Sequence, residues 1–85
     1  MDNQTEAYNL AQRAMADLKT AIRQILIASN VPRTNAEIGR SLGIYQGHSG
    51  KHEGHISRVL LGIMESEGVV SQDSENKKWS LSIRK

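Results

Sequence analysis

The spacing of apolar residues changes once along this chain, and that change limits the folds open to it. As far as Met64 the apolar positions recur at intervals of three and four. From Trp79 onward they recur at two, through Leu81 and Ile83. The first pattern belongs to helices that bury one stripe, the second to a strand that buries one face. The chain therefore reads as mainly α, with a small β-hairpin at its C-terminal end.

Ala7, Ala11, Ala14, Leu18, Ile22 and Ile25 predict a long first helix over residues 5–29, ended by Asn30 and followed by Val31-Pro32. Thr34 and Glu37 have the spacing of a capping box, which opens a short second helix over 34–43 with Ala36, Ile38 and Leu42 on its apolar side and Gly43 at its close. Ile56, Val59, Leu60, Ile63 and Met64 form an i, i+3, i+4, i+7, i+8 series, which predicts a third helix over 50–67 with those five residues facing the core. Its first residue is expected between Ser49 and Glu53, and Gly68 closes it. A hairpin follows over 69–83, with "DSEN" as its turn and Trp79 in the core.

Eighty-five residues form one domain with a thin core. There is no cysteine, so neither a disulfide nor a thiolate metal site can support it. The opening residues do not read as a signal peptide, and the longest apolar run, "ILIA", is far too short for a membrane span. A cytoplasmic location is the expectation. The net charge is +2, and all of that excess lies after residue 30. So small an excess permits nucleic-acid binding only if the bases share one face.

The order helix, short helix, helix, hairpin, carried by "TNAEIGRSLGI", "HISRVLLGIMESEGVV" and "KKWSLSI", resembles the winged helix-turn-helix family. The resemblance covers about residues 15 to 83. It implies three helices plus a two-stranded wing, and double-stranded DNA as the partner, read by the third helix in the major groove. One departure is the connection from Gly43 to Ile56, which is several residues longer than the family's tight turn. A related subfamily that binds left-handed nucleic acid uses Asn and Tyr on its third helix; Ser57 and Leu61 stand there in this chain.

That long connection contains "GHSGKHEGH", which holds all three histidines. His48, His52 and His55 have i, i+4, i+7 spacing, which would gather them on one side of an unbroken helix as a zinc or nickel site. Gly47, Ser49, Gly50 and Gly54 weigh against such a helix, and no cofactor is expected. "GHSGK" lacks the first glycine and the Ser or Thr of a nucleotide-binding loop. No nucleophile elbow or paired acids suggest an enzyme.

If Ile56, Leu60 and Ile63 face inward, Lys51, Gly54, Arg58, Leu61 and Glu65 face outward, flanked by His55 and Ser57. Ser49, Lys51, His52, Gly54, His55, Ser57 and Arg58 are then the candidate DNA contacts on the third helix, with Gln46 before it. Arginine suits a bidentate grip on guanine. Arg33 and Arg40 on the second helix, and Lys77 and Lys78 on the wing, are candidates for phosphate. Tyr45 reads as cover for the core. The early turns of the first helix, with Ala7, Tyr8, Leu10, Ala11, Ala14 and Met15, suggest homodimer packing. The competing function is a winged helix used for protein contacts, which Leu61 on an outward face would favour.

Overall fold

The structure, a computed structural model, describes residues 2–45 and 54–82. Three helices and a two-stranded antiparallel sheet follow in the order α1 (Asn3–Ser29), α2 (Asn35–Ser41), α3 (His55–Ser66), β1 (Val70–Gln72) and β2 (Trp79–Leu81). No described helix is long and apolar enough to cross a membrane.

Helix α1 begins two residues earlier than its apolar spacing predicts, because the Asp2 carboxylate caps it by accepting the Thr5 N–H at 2.7 Å. It ends on Asn30 in the left-handed conformation. The capping box of α2 is present in both directions: Glu37 N–H donates to the Thr34 hydroxyl at 3.1 Å, and Thr34 N–H donates to the Glu37 carboxylate at 2.9 Å. Gly43 and Gly68, the two expected helix ends, both have positive φ.

The core gathers one side of each element. Ile22 and Leu26 come from α1, Ile38 from α2, Leu60, Leu61 and Met64 from α3, and Val70 and Trp79 from the hairpin. Trp79 is buried as expected, so it is a packing residue. Its backbone also pairs with Arg33: Arg33 N–H donates to the Trp79 carbonyl at 2.9 Å and Trp79 N–H to the Arg33 carbonyl at 2.7 Å. This bridge ties the segment between α1 and α2 to the edge of the hairpin. In the hairpin itself Val70 pairs with Leu81, and Gln72 with Trp79.

The third helix departs from expectation in two respects. It starts at His55, later than the predicted residue 50, because Gly54 precedes it with φ of 82°. Its buried side is also turned. Ser57, Leu60, Leu61 and Met64 face inward, whereas Ile56 and Val59 are 47% and 60% exposed and Ile63 is only partly buried. Leu60 and Met64 belong to both the predicted and the observed stripes. The others change places because α2 packs beside Ser57 and draws that side of α3 inward.

Candidate nucleic-acid interface

The start of α3 is locked to α2 by a small polar group. The Ser57 hydroxyl lies 2.7 Å from Asn35 Oδ1 and 3.2 Å from the Gly54 carbonyl, while Asn35 Nδ2 donates to that same carbonyl at 3.1 Å. No buried side-chain polar atom among the described residues lacks a partner, which removes the penalty of burying a hydroxyl. Ser57 is fully buried, so it is not a DNA contact, contrary to its placement on the predicted outward face.

Gly54, expected to face a partner, is likewise buried. A Cβ there would lie 2.6 Å from Asn35 Nδ2 and 2.9 Å from Tyr45 Cε1. The close approach that this glycine permits is therefore internal. Tyr45 does act as cover, lying over both Gly39 and Gly54, and the Arg40 guanidinium sits 4.4 Å from its ring centroid. Arg40 is exposed, but its head is drawn to the aromatic face by a cation–π contact.

The residue after Ser57 points the other way. Arg58 is exposed on the first turns of α3, and His55, Val59 and Gly62 are exposed with it. At 100° per residue these four lie on the side opposite Leu60, Leu61 and Met64. Glu65, also exposed, falls two turns beyond Arg58 on nearly the same line. Leu61, expected on this outer face, is instead fully buried in the core. The α3 start itself has no side-chain cap.

Arg33 and Lys78 are brought together at the start of α2 by the Arg33–Trp79 bridge. Glu37 stands with them, and its carboxyl is held below the usual carboxylate range, first by the hydrogen bond from Thr34 N–H and then by the charges of Arg33 and Lys78. Two positive charges and one negative leave a single net charge there. Lys77 is exposed in the hairpin turn and takes the left-handed conformation with φ of 63°. The Asp73 carboxylate shapes this turn by accepting the N–H groups of Glu75 at 2.7 Å and Asn76 at 3.0 Å, which lowers its pKa.

Gln46, His48, Ser49, Lys51 and His52 lie outside the described residues. Because α3 begins at His55 after a left-handed Gly54, the unbroken helix that would align His55 with His48 and His52 does not continue through that point. Among the described residues no three metal-ligating side chains come together.

Two features of the site were not anticipated from the sequence. Asn35 gives no pattern signal, because nothing in the chain links it to a residue 22 positions away. The second is an open apolar groove of about 310 Å³ between α1 and α3, lined by Met15, Leu18, His55, Ile56, Val59 and Leu60. Its signal was present in the apolar character of Ile56 and Val59, but periodicity alone assigned those residues to the core. A scan against protein-family models and searches of curated proteins and of solved structures found no significant match to this chain.

Proposed function

We propose that this chain is a winged-helix domain that binds double-stranded DNA, either as a small transcriptional regulator or as the DNA-reading module of a larger protein. The outer side of α3 enters the major groove, and the start of α2 and the hairpin turn lie along phosphates. The observation that carries this reading is the contrast between neighbours on α3. Ser57 is anchored inward to α2, which holds Arg58 outward on the exposed side of the helix. An arginine on a rigid helix is suited to a bidentate contact with guanine. Arg33, Lys77 and Lys78 supply charge for the backbone, and Arg40 adds to it beside Tyr45. The element order and the Arg33–Trp79 pairing support the winged-helix assignment.

A second reading is a protein-contact module, and it rests on the exposed Ile56 and Val59. Fluorescence anisotropy on duplex DNA at several salt concentrations separates the two. DNA binding predicts a log–log salt slope of about −0.9 for each phosphate neutralised, and so roughly −3 to −5 for the cations named. Arg58→Glu should weaken binding at least tenfold while leaving the circular dichroism spectrum unchanged. Duplex affinity no better than background, and indifferent to Arg58→Glu, would reject the DNA reading and leave the protein-contact one.

A further inference from the structure

A glycine inside a helix costs stability relative to alanine, so its presence there calls for a reason. Among the described residues two glycines lie inside helices, Gly39 in α2 and Gly62 in α3. The fold needs the first: a Cβ at Gly39 would stand 3.1 Å from both Ser57 Oγ and Tyr45 Cβ. It does not need the second. Gly62 is exposed, and among the described residues nothing approaches within 4 Å of its Cβ position. At 100° per residue it falls between Arg58 and Val59, about 40° from the one and about 60° from the other. The three make a small patch on the side of α3 away from the core. It holds a cation, an apolar side chain that is 60% exposed, and a gap between them.

From this patch we infer that α3 reads a thymine next to a guanine, an inference that rests on the duplex-binding reading above. Val59 packs on the thymine methyl, Arg58 grips the guanine, and Gly62 gives the clearance that lets the base-pair edges come close. The chemistry of the groove narrows the choice. Base edges in the major groove offer hydrogen-bond donors and acceptors and one methyl group, that of thymine. Valine has no side-chain donor or acceptor, so the methyl is the feature it can recognise. Arg58 and Val59 are consecutive, so their targets are neighbouring base pairs. Glu65 lies further along α3 with the wrong sign for phosphate, so the contact is confined to the stretch from His55 to Gly62. That is the leading part of the helix, the part a recognition helix presents to bases.

A singly exposed apolar residue is ordinary on a protein surface. Val59 is set apart by its neighbours: it stands beside an outward arginine and next to a helix position kept bare at a cost to the fold.

The test uses the whole chain and duplexes that it selects from a random pool, with affinity read by fluorescence anisotropy at fixed salt. Each thymine of the selected site is replaced in turn by uracil, which differs only in lacking the methyl. One thymine beside a guanine should weaken binding about fourfold on losing it, the effect of one buried methyl group. Val59→Ser should abolish that thymine–uracil difference and keep the salt slope. Gly62→Leu should weaken binding to the same duplex by roughly tenfold or more, because its side chain fills the gap. Its melting temperature should stay at or above that of the unaltered chain, since leucine favours helix over glycine, so a loss of fold does not account for the result. The inference is overturned, and the DNA reading stands, if binding depends on Arg58 but no uracil replacement weakens it. The same follows if Val59→Ser keeps the difference or Gly62→Leu binds as tightly as before. If no duplex is bound above background, the DNA reading falls and the inference with it.

Discussion

The Ser57 hydroxyl and the Asn35 side chain, 22 residues apart in sequence, meet at 2.7 Å and join the start of α3 to the start of α2. Asn35 then reaches on to the Gly54 carbonyl, so three residues share one small network. Substituting Ser57→Ala leaves Asn35 Oδ1 without its donor in a partly buried place, with an expected cost of about 1–3 kcal/mol. Asn35→Ala should cost a similar amount. The double variant should lose less than the sum of the two, because both remove the same contact. Thermal denaturation of the four proteins measures the coupling, and strict additivity would contradict the network.

Gly54 and Gly62 should respond oppositely to the same substitution. Gly54→Ala places a methyl group within 2.6 Å of Asn35 Nδ2 and forces a positive φ on a residue that disfavours it. Strain at the backbone costs about 1–2 kcal/mol and the clash adds to it. Gly62 lies inside α3 with open space around its Cβ position. There Ala should stabilise by roughly 0.5–1 kcal/mol. Urea denaturation of both variants checks the pair.

The turned face of α3 can be tested with two truncations. Leu61→Ala removes a fully buried side chain and should cost about 2.7–5 kcal/mol. Val59→Ala, at a 60% exposed position, should change the stability of the single chain by no more than about 0.5 kcal/mol. The reverse ranking would restore the arrangement expected from periodicity alone. Measurement at low protein concentration keeps any self-association out of the comparison.

Stability should fall on the acid side through three capping or turn carboxylates. Asp2, Glu37 and Asp73 each accept backbone N–H groups, and each has its pKa lowered chiefly by those bonds. A lowered folded-state value means that the contribution is complete above the unfolded value, near pH 4. It is lost as pH falls through the lower folded one. The melting temperature should therefore be level from about pH 7 to 5 and drop below about pH 4. Glu37→Gln, which keeps the capping geometry without the titration, should make that drop shallower.

Lys77 holds a left-handed backbone conformation in the hairpin turn. Lys77→Gly should raise stability by about 1 kcal/mol, since glycine adopts that conformation without steric cost. If Lys77 lies along a phosphate, the same variant should lower the magnitude of the salt slope by about 0.9. A combined melting and anisotropy series reads both effects, and an unchanged salt slope would exclude the wing contact.

Much of the architecture was legible in local signals. The capping box at Thr34 and Glu37, the left-handed ends at Asn30, Gly43 and Gly68, and the two-residue alternation at Trp79 and Leu81 each depend on a few neighbouring residues. The orientation of α3 was not legible, because five apolar residues at helical spacing outline a stripe wider than the core needs. Neither was the lock between Ser57 and Asn35, whose partners come together only when two helices pack.

From the sequence by itself came the kinds of element, their order, the C-terminal ends of the helices and the burial of Trp79, because backbone geometry and capping are decided within a turn or two of chain. Only the tertiary structure decided which side of α3 is inside, that Ser57 and Gly54 serve the α2–α3 contact, and that Ile56 and Val59 remain uncovered. The physical reason is competition for one small core. When α2 brings Asn35 and Gly39 against Ser57, Leu61 is carried inward, and the apolar residues on the far side of α3 are left facing solvent.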